Sequence, residues 1–152
     1  MHITIYTDGS CHAQQKIGAW VAIISCEAAL TTLSGIAENT THQQMELKAV
    51  ISALSFIPSL TKHPEKVTLI TDSQYISDLP KRSVRLQQVS FITKKGNVLP
   101  NAEAVQQLIN LLQQFPAEII KVKAHQTITG VTELQQAADK LSRKLVRENI
   151  TR

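Results

Sequence analysis

The chain is short of cysteine, of long apolar runs and of anything like a leader, and each shortage narrows what it can be. Its 152 residues hold two cysteines, Cys11 and Cys26, which make neither a disulfide framework nor a zinc site. No apolar run approaches the roughly 20 residues that span a bilayer. The opening Met1-His2-Ile3-Thr4-Ile5-Tyr6 reads as a strand from its second residue, without the basic and apolar regions of a secretory signal. A cytoplasmic protein with no membrane partner is expected. Repeats, low-complexity tracts and an interdomain linker are all missing, so residues 1–152 are expected to form one domain. A chain of this size can bury about 70% of its unfolded surface and needs no disulfide to stay folded.

What is present is ordinary globular material, 43% hydrophobic and 18% charged. The net charge of +4 and a pI near 9.2 favour a polyanionic partner without identifying one. Apolar and β-branched runs predict strands over 2–7, 17–25 and 30–35, joined by short links as an antiparallel meander, with further strands over 67–71 and 118–124. Helices are expected over 42–57, 74–79 and 101–115, and after Thr132 to about Arg147. Thr41 and Gln44, like Thr132 and Gln135, form T-x-x-Q capping boxes, Asn101 reads as a cap, and Pro58 and Pro116 read as stops. Residues 80–100 read as an irregular basic stretch. Three strands followed by alternating helices and strands imply a mixed sheet with helices packed on it.

Two segments share one design. Thr4–Ser10 (TIYTDGS) and Thr68–Gln74 (TLITDSQ) are each a buried strand ending in Thr-Asp and small polar residues. If these strands are parallel neighbours, Asp8 and Asp72 leave the sheet about 5 Å apart, the strand spacing, at the carboxyl ends where open α/β sheets bind ligands. Two such carboxylates repel unless protonated or neutralised, and a hard divalent cation does the latter with oxygen ligands. The structural alternative is that each Asp caps its own turn. Glu46 has Val50, Ala53 and Ile57 as its helical neighbours, an apolar stripe that puts the glutamate on the face turned to the sheet. Its alternative role is a charge at the positive end of a helix. Asp139 stands beside Ala137 and Ala138, small residues that permit close approach to the sheet, although on spacing alone such an aspartate is more often a surface helix charge than a ligand. His125 alone would read as a solvated loop histidine.

In order and rough spacing, TDGS, MELKA, TDSQY, VKAH and AADKL resemble the motifs of type 1 ribonuclease H across essentially the whole chain. The resemblance implies an α/β, ribonuclease H-like fold, a five-stranded mixed sheet of order 3-2-1-4-5 with helices on both faces. It implies an endonuclease that cuts the RNA strand of RNA–DNA hybrids, leaving 5′-phosphate and 3′-hydroxyl ends. Its metal ligands would be Asp8, Glu46, Asp72 and Asp139, holding two Mg2+ ions with Mn2+ as a possible substitute, and Asp8 would be the shared ligand. His125 would assist proton movement or product release. Hybrid selectivity requires contacts to 2′-hydroxyls, for which Gly9, Ser10, Cys11, Gln43, Gln44 and Gln74 are the candidates, with Thr41 as a candidate for a DNA-strand phosphate. A small buried role is the alternative for Cys11, and helix capping competes for the Thr41 hydroxyl. A monomer is expected.

The chain also departs from that family. The turn after TDGS is shorter and nearly free of glycine, His42-Gln43 stands where relatives have Asn-Asn, and Ala124 where many have Gly. Lys81, Arg82, Arg85, Lys94 and Lys95 resemble a substrate-binding basic handle whose aromatic platform is reduced to Phe91, so weak stacking and salt-dependent phosphate attraction are expected. A solvated basic loop is the alternative. Another two-metal nuclease of the same superfamily and a non-catalytic hybrid-binding module remain open as readings of the whole chain.

Overall fold

The computed structural model describes residues 1–123 and 132–151. Five strands, β1 (His2–His12), β2 (Ile17–Cys26), β3 (Ala29–Ala37), β4 (Lys66–Thr71) and β5 (Ala117–Lys121), form a single sheet in the order β3-β2-β1-β4-β5. The first three are antiparallel, and β1–β4 and β4–β5 are parallel. The crossovers to the parallel strands carry helices α1 (His42–Phe56), α2 (Gln74–Gln88) and α3 (Ala102–Gln114), and α4 (Thr132–Asn149) closes the chain.

Strand alternation divides the interior into two layers. Ile3, Ile5, Ala22, Ile24 and Leu69 point to one side, where Leu47, Val50 and Leu54 of α1, Ile76 and Leu79 of α2 and Val105 and Leu108 of α3 cover them. Tyr6, Val21, Ile23 and Ile70 point to the other, where Ala138 of α4 sits among Leu134, Leu141 and Leu145. The expected sheet order and two-faced helical cover are both present.

The Thr41 capping box forms as expected: Gln44 N donates to Thr41 Oγ1 at 3.2 Å and Thr41 N to Gln44 Oε1 at 3.2 Å. The Thr132 side chain lies outside the described residues. Four expectations are corrected. β1 does not end at Asp8, because β2 pairs with it as far as His12↔Ile17. Residues 80–88 are not irregular but continue α2, with Pro80 inside the helix. Ile76, Leu79 and Leu86 of α2 are all buried, and that anchoring on both sides of the proline outweighs the hydrogen bond it removes. Asn101 does not cap α3 through its side chain, since it adopts a left-handed φ of 62° and its Oδ1 instead accepts from Gln44 Nε2 at 3.1 Å. Phe91 is no exposed platform, being half-buried against the core.

Candidate active site

The last parallel pair of β1 and β4 is Tyr6↔Ile70, so Asp8, still within β1, and Asp72, just past the end of β4, lie at matching positions beyond it. β4 stops at Thr71 and releases Asp72 into the turn that starts α2. Ser73 caps that helix, with Ile76 N donating to Ser73 Oγ at 3.1 Å. The same hydroxyl donates to Glu46 Oε2 at 2.6 Å, tying the start of α2 to α1. Glu46 Oε1 meets His42 Nε2 at 2.6 Å across one helical turn. As its apolar stripe requires, Glu46 is turned inward, only 7% exposed, and Val50, Ala53 and Ile57 are wholly buried. From the other face of the sheet, α4 delivers Asp139 to within hydrogen-bonding reach of Asp8. Asp139 Oδ1 is also held by Arg143 Nε at 3.1 Å.

Gly9 makes this approach possible. A Cβ at that position would lie 2.6 Å from the backbone nitrogen of Glu46 and 2.7 Å from the carbonyl carbon of Met45. The requirement is for space between β1 and α1, which only a residue without a side chain leaves open.

The electrostatic consequence falls on Asp8 and Asp72, which the site holds back from ionising. Burial, then the Asp72 charge and the adjacent Asp139 carboxyl, push Asp8 up to about 8, against a smaller opposing effect of the Ser142 hydroxyl. Asp72 is raised by burial and by the charges of Glu46 and Asp139. His42 is raised chiefly by its hydrogen bond to Glu46. The four carboxylates predicted from sequence are thus one interacting set. Among the described residues no three His, Cys, Asp or Glu side chains form a ready coordination cage, and each of Asp8, Glu46 and Asp139 has its own partner in Ser142, His42 with Ser73, and Arg143. The donor set is all oxygen, and its excess of negative charge fits a hard divalent cation.

The candidate substrate contacts divide. Ser10 and Cys11 flank the acidic site on β1 and are half-buried. The Cys11 thiol donates to Thr40 O at 3.5 Å, and burial raises its pKa. Gln43 is exposed at the start of α1. Gln44 is engaged by Thr40, Thr41 and Asn101, and Gln74 Nε2 donates to Asp78 at 2.8 Å. Lys81, Arg82, Arg85, Lys94 and Lys95 are exposed. Arg82, Arg85 and Lys94 rim a cleft of about 530 Å3 floored by Leu86, Val89, Ile92 and Leu99. His125 lies outside the described residues. Sequence reading did not single out Ser73 as a partner of Glu46, although a serine between a strand end and a helix is itself a capping signal. Ser142, which bonds to Asp8, left no local signal because its partner is far away in sequence, and Gln135, read from sequence only as half of a capping box, donates Nε2 to Thr7 O.

A mixed α/β sheet with acidic side chains gathered beyond its parallel strand pairing offers oxygen donors of the kind a hard cation takes. The RNase H family model matches residues 1–147, and the chain belongs to that family. The Ribonuclease H of Caldicellulosiruptor saccharolyticus is 33% identical over 148 residues, spanning 96% of this chain and 97% of that protein. Among solved structures, LC9-RNase H1, described as a type 1 RNase H with the type 2 active-site motif, superposes with a TM-score of 0.80 at 20% identity over 98% of this chain and 74% of its own. The foamy viral protease-reverse transcriptase in complex with RNA/DNA hybrid gives 0.73 at 18% identity over 93% of this chain and 19% of that one. At these identities the structural likenesses bear on the fold, and the family rests on the sequence matches.

Proposed function

We propose that this chain is an endonuclease that hydrolyses the RNA strand of RNA–DNA hybrids, leaving 5′-phosphate and 3′-hydroxyl ends, with Asp8, Glu46, Asp72 and Asp139 as ligands for two Mg2+ ions. The observation that carries the reading is the meeting of these four carboxyl groups, from β1, α1, the end of β4 and α4, in a set where burial and neighbouring charge make Asp8 and Asp72 reluctant to ionise. Divalent-metal dependence is general in the family. When bound, such ions supply Lewis acidity, activating water and neutralising charge on the scissile phosphate.

The protein's own part is placement. Asp8 lies between the Asp72 side of the sheet and α4, which suits it to be the shared ligand. Ser73 and His42 fix the Glu46 carboxylate from two sides, so little rotamer freedom is lost when it binds a cation. Gly9, Ser10, Cys11, Gln43, Gln44 and Gln74 are the proposed contacts to the cut strand, with Thr41 beside them. The basic rim of α2 and the segment after it attracts phosphates. Those contacts read the 2′-hydroxyl that separates RNA from DNA. His125 is proposed to move protons near neutral pH, where an imidazole titrates. One copy supplies all four carboxylates, so a monomer suffices, and the cytoplasm is the proposed location.

The test is cleavage of an end-labelled RNA–DNA hybrid beside duplex DNA and duplex RNA, with Mg2+ and with EDTA. We expect Mg2+-dependent cuts in the RNA strand of the hybrid alone. Asp8→Asn should abolish them while leaving hybrid binding in EDTA largely intact, and His125→Ala should slow turnover without ending it. Equal cutting of duplex DNA would point to another two-metal nuclease, and hybrid binding without cleavage to a binding module.

A further inference from the structure

Ser142 is wholly buried in α4, one turn beyond Asp139. A serine inside a helix commonly satisfies its hydroxyl on its own backbone, and Ser142 Oγ does reach Asp139 O at 3.0 Å. A second acceptor, Asp8 Oδ2, stands 3.2 Å away although it is 134 residues distant in sequence. One hydroxyl proton therefore has two oxygens of the acidic site to choose between, one on each of the elements that must meet there. On the same face of the helix, two turns earlier, Gln135 Nε2 donates to Thr7 O at 2.8 Å. Ala138, between them and fully buried, lets the helix come close. α4 is thus tied to two consecutive residues of β1, Thr7 and Asp8, on either side of the turn that carries Asp139. Packing alone does not call for a hydroxyl here, because alanine is a better helix former and leaves no buried polar atom to satisfy.

We propose that Ser142 is a positioning residue of the acidic site: its hydroxyl holds the Asp8 carboxylate in register with Asp139 and so strengthens the binding of divalent cation. The inference rests on the nuclease reading of the same site. Ser142 does not touch substrate. It acts through Asp8, as partners of metal-binding carboxylates commonly do.

Three measurements on the full chain test it. Mg2+ is titrated calorimetrically into wild type, Ser142→Ala and Asp8→Asn without nucleic acid, the thermal midpoint of each is read in EDTA, and hybrid cleavage is followed against Mg2+ concentration. For Ser142→Ala we expect Mg2+ affinity about tenfold weaker, at the low end of what loss of such a partner produces. Its midpoint in EDTA should be unchanged or higher. Cleavage should recover at saturating Mg2+, with the KM for hybrid unaltered. Wild-type Mg2+ affinity in Ser142→Ala, or a lowered midpoint with unchanged affinity, overturns the inference and leaves the nuclease reading standing. A wild type that neither binds Mg2+ nor cuts hybrid overturns the nuclease reading itself.

Discussion

Asp8 is a carboxyl group that the fold makes unfavourable to ionise. It is 5% exposed and, through burial first and the Asp72 and Asp139 neighbours second, is pushed up to about 8, against about 3.9 in an unfolded chain. A folded-state value above the unfolded one means that the native state binds the proton more tightly. The associated stability is fully present below about pH 4 and is lost as pH rises towards 8. Asp8→Asn removes that dependence. In EDTA, urea midpoints of wild type and variant should be close near pH 4, and the variant should be the more stable at pH 8. Saturating Mg2+ should narrow the gap by stabilising wild type. A gap of constant size from pH 4 to pH 8 would show that the carboxyl ionises as readily in the fold as outside it. The two Asp residues were legible in sequence because each follows the same run of Thr and apolar residues, although β1 continues past Asp8 to His12. The hydroxyls that hold the site were not, since nothing near Ser142 in the chain announces an acceptor on β1.

The helices show where local chemistry is legible and where it is overridden. The capping box at Thr41 and Gln44 was readable because both halves of it are written within four residues. The second part of α2 was hidden by Pro80, a residue whose local effect is to end helices, while the burial of Leu79 and Leu86 that carries the helix past it depends on α1, α3 and the sheet. Asn101 was misread for the same reason: asparagine suits both a cap and a left-handed turn, and the partner that decides between them, Gln44, is on another helix. Two substitutions test how these elements set the site. Thr41→Ala should destabilise the fold by about 1 kcal/mol through loss of the cap; Thr41→Ser should retain most of that. A rise in KM for hybrid in the alanine variant alone would mean the hydroxyl also serves the substrate. Gly9→Ala places a methyl group against the backbone of Met45 and Glu46. We expect it to cost about 1–3 kcal/mol of stability and to lower cleavage further by moving Glu46 away from Asp8. Full activity with an unchanged denaturation midpoint would show that α1 can shift without consequence.

At the scale of the whole molecule, charge is unevenly placed. The chain carries a net +4 even though four of its acids converge on one site. The acidic set would repel a polyanion unless cation neutralised it, whereas the exposed cations of α2 and the segment after it attract one at any metal concentration. Binding and cleavage should therefore respond to different conditions. Replacing Arg82, Arg85 and Lys94 with glutamine removes the basic rim of the cleft while leaving its aliphatic floor of Leu86, Val89, Ile92 and Leu99 in place. Each lost phosphate contact should reduce the slope of log affinity against log salt by about 0.7–0.9, so the triple variant should bind hybrid more weakly at low salt and converge on wild type as salt rises. Its kcat at saturating hybrid and Mg2+ should stay near wild type, because no side chain of the acidic site has changed. Phe91 is already packed on the core, so its replacement should register in thermal stability rather than as a loss of base stacking. A triple variant with the wild-type salt slope would mean that these cations are a solvated surface and that the substrate lies elsewhere on the protein.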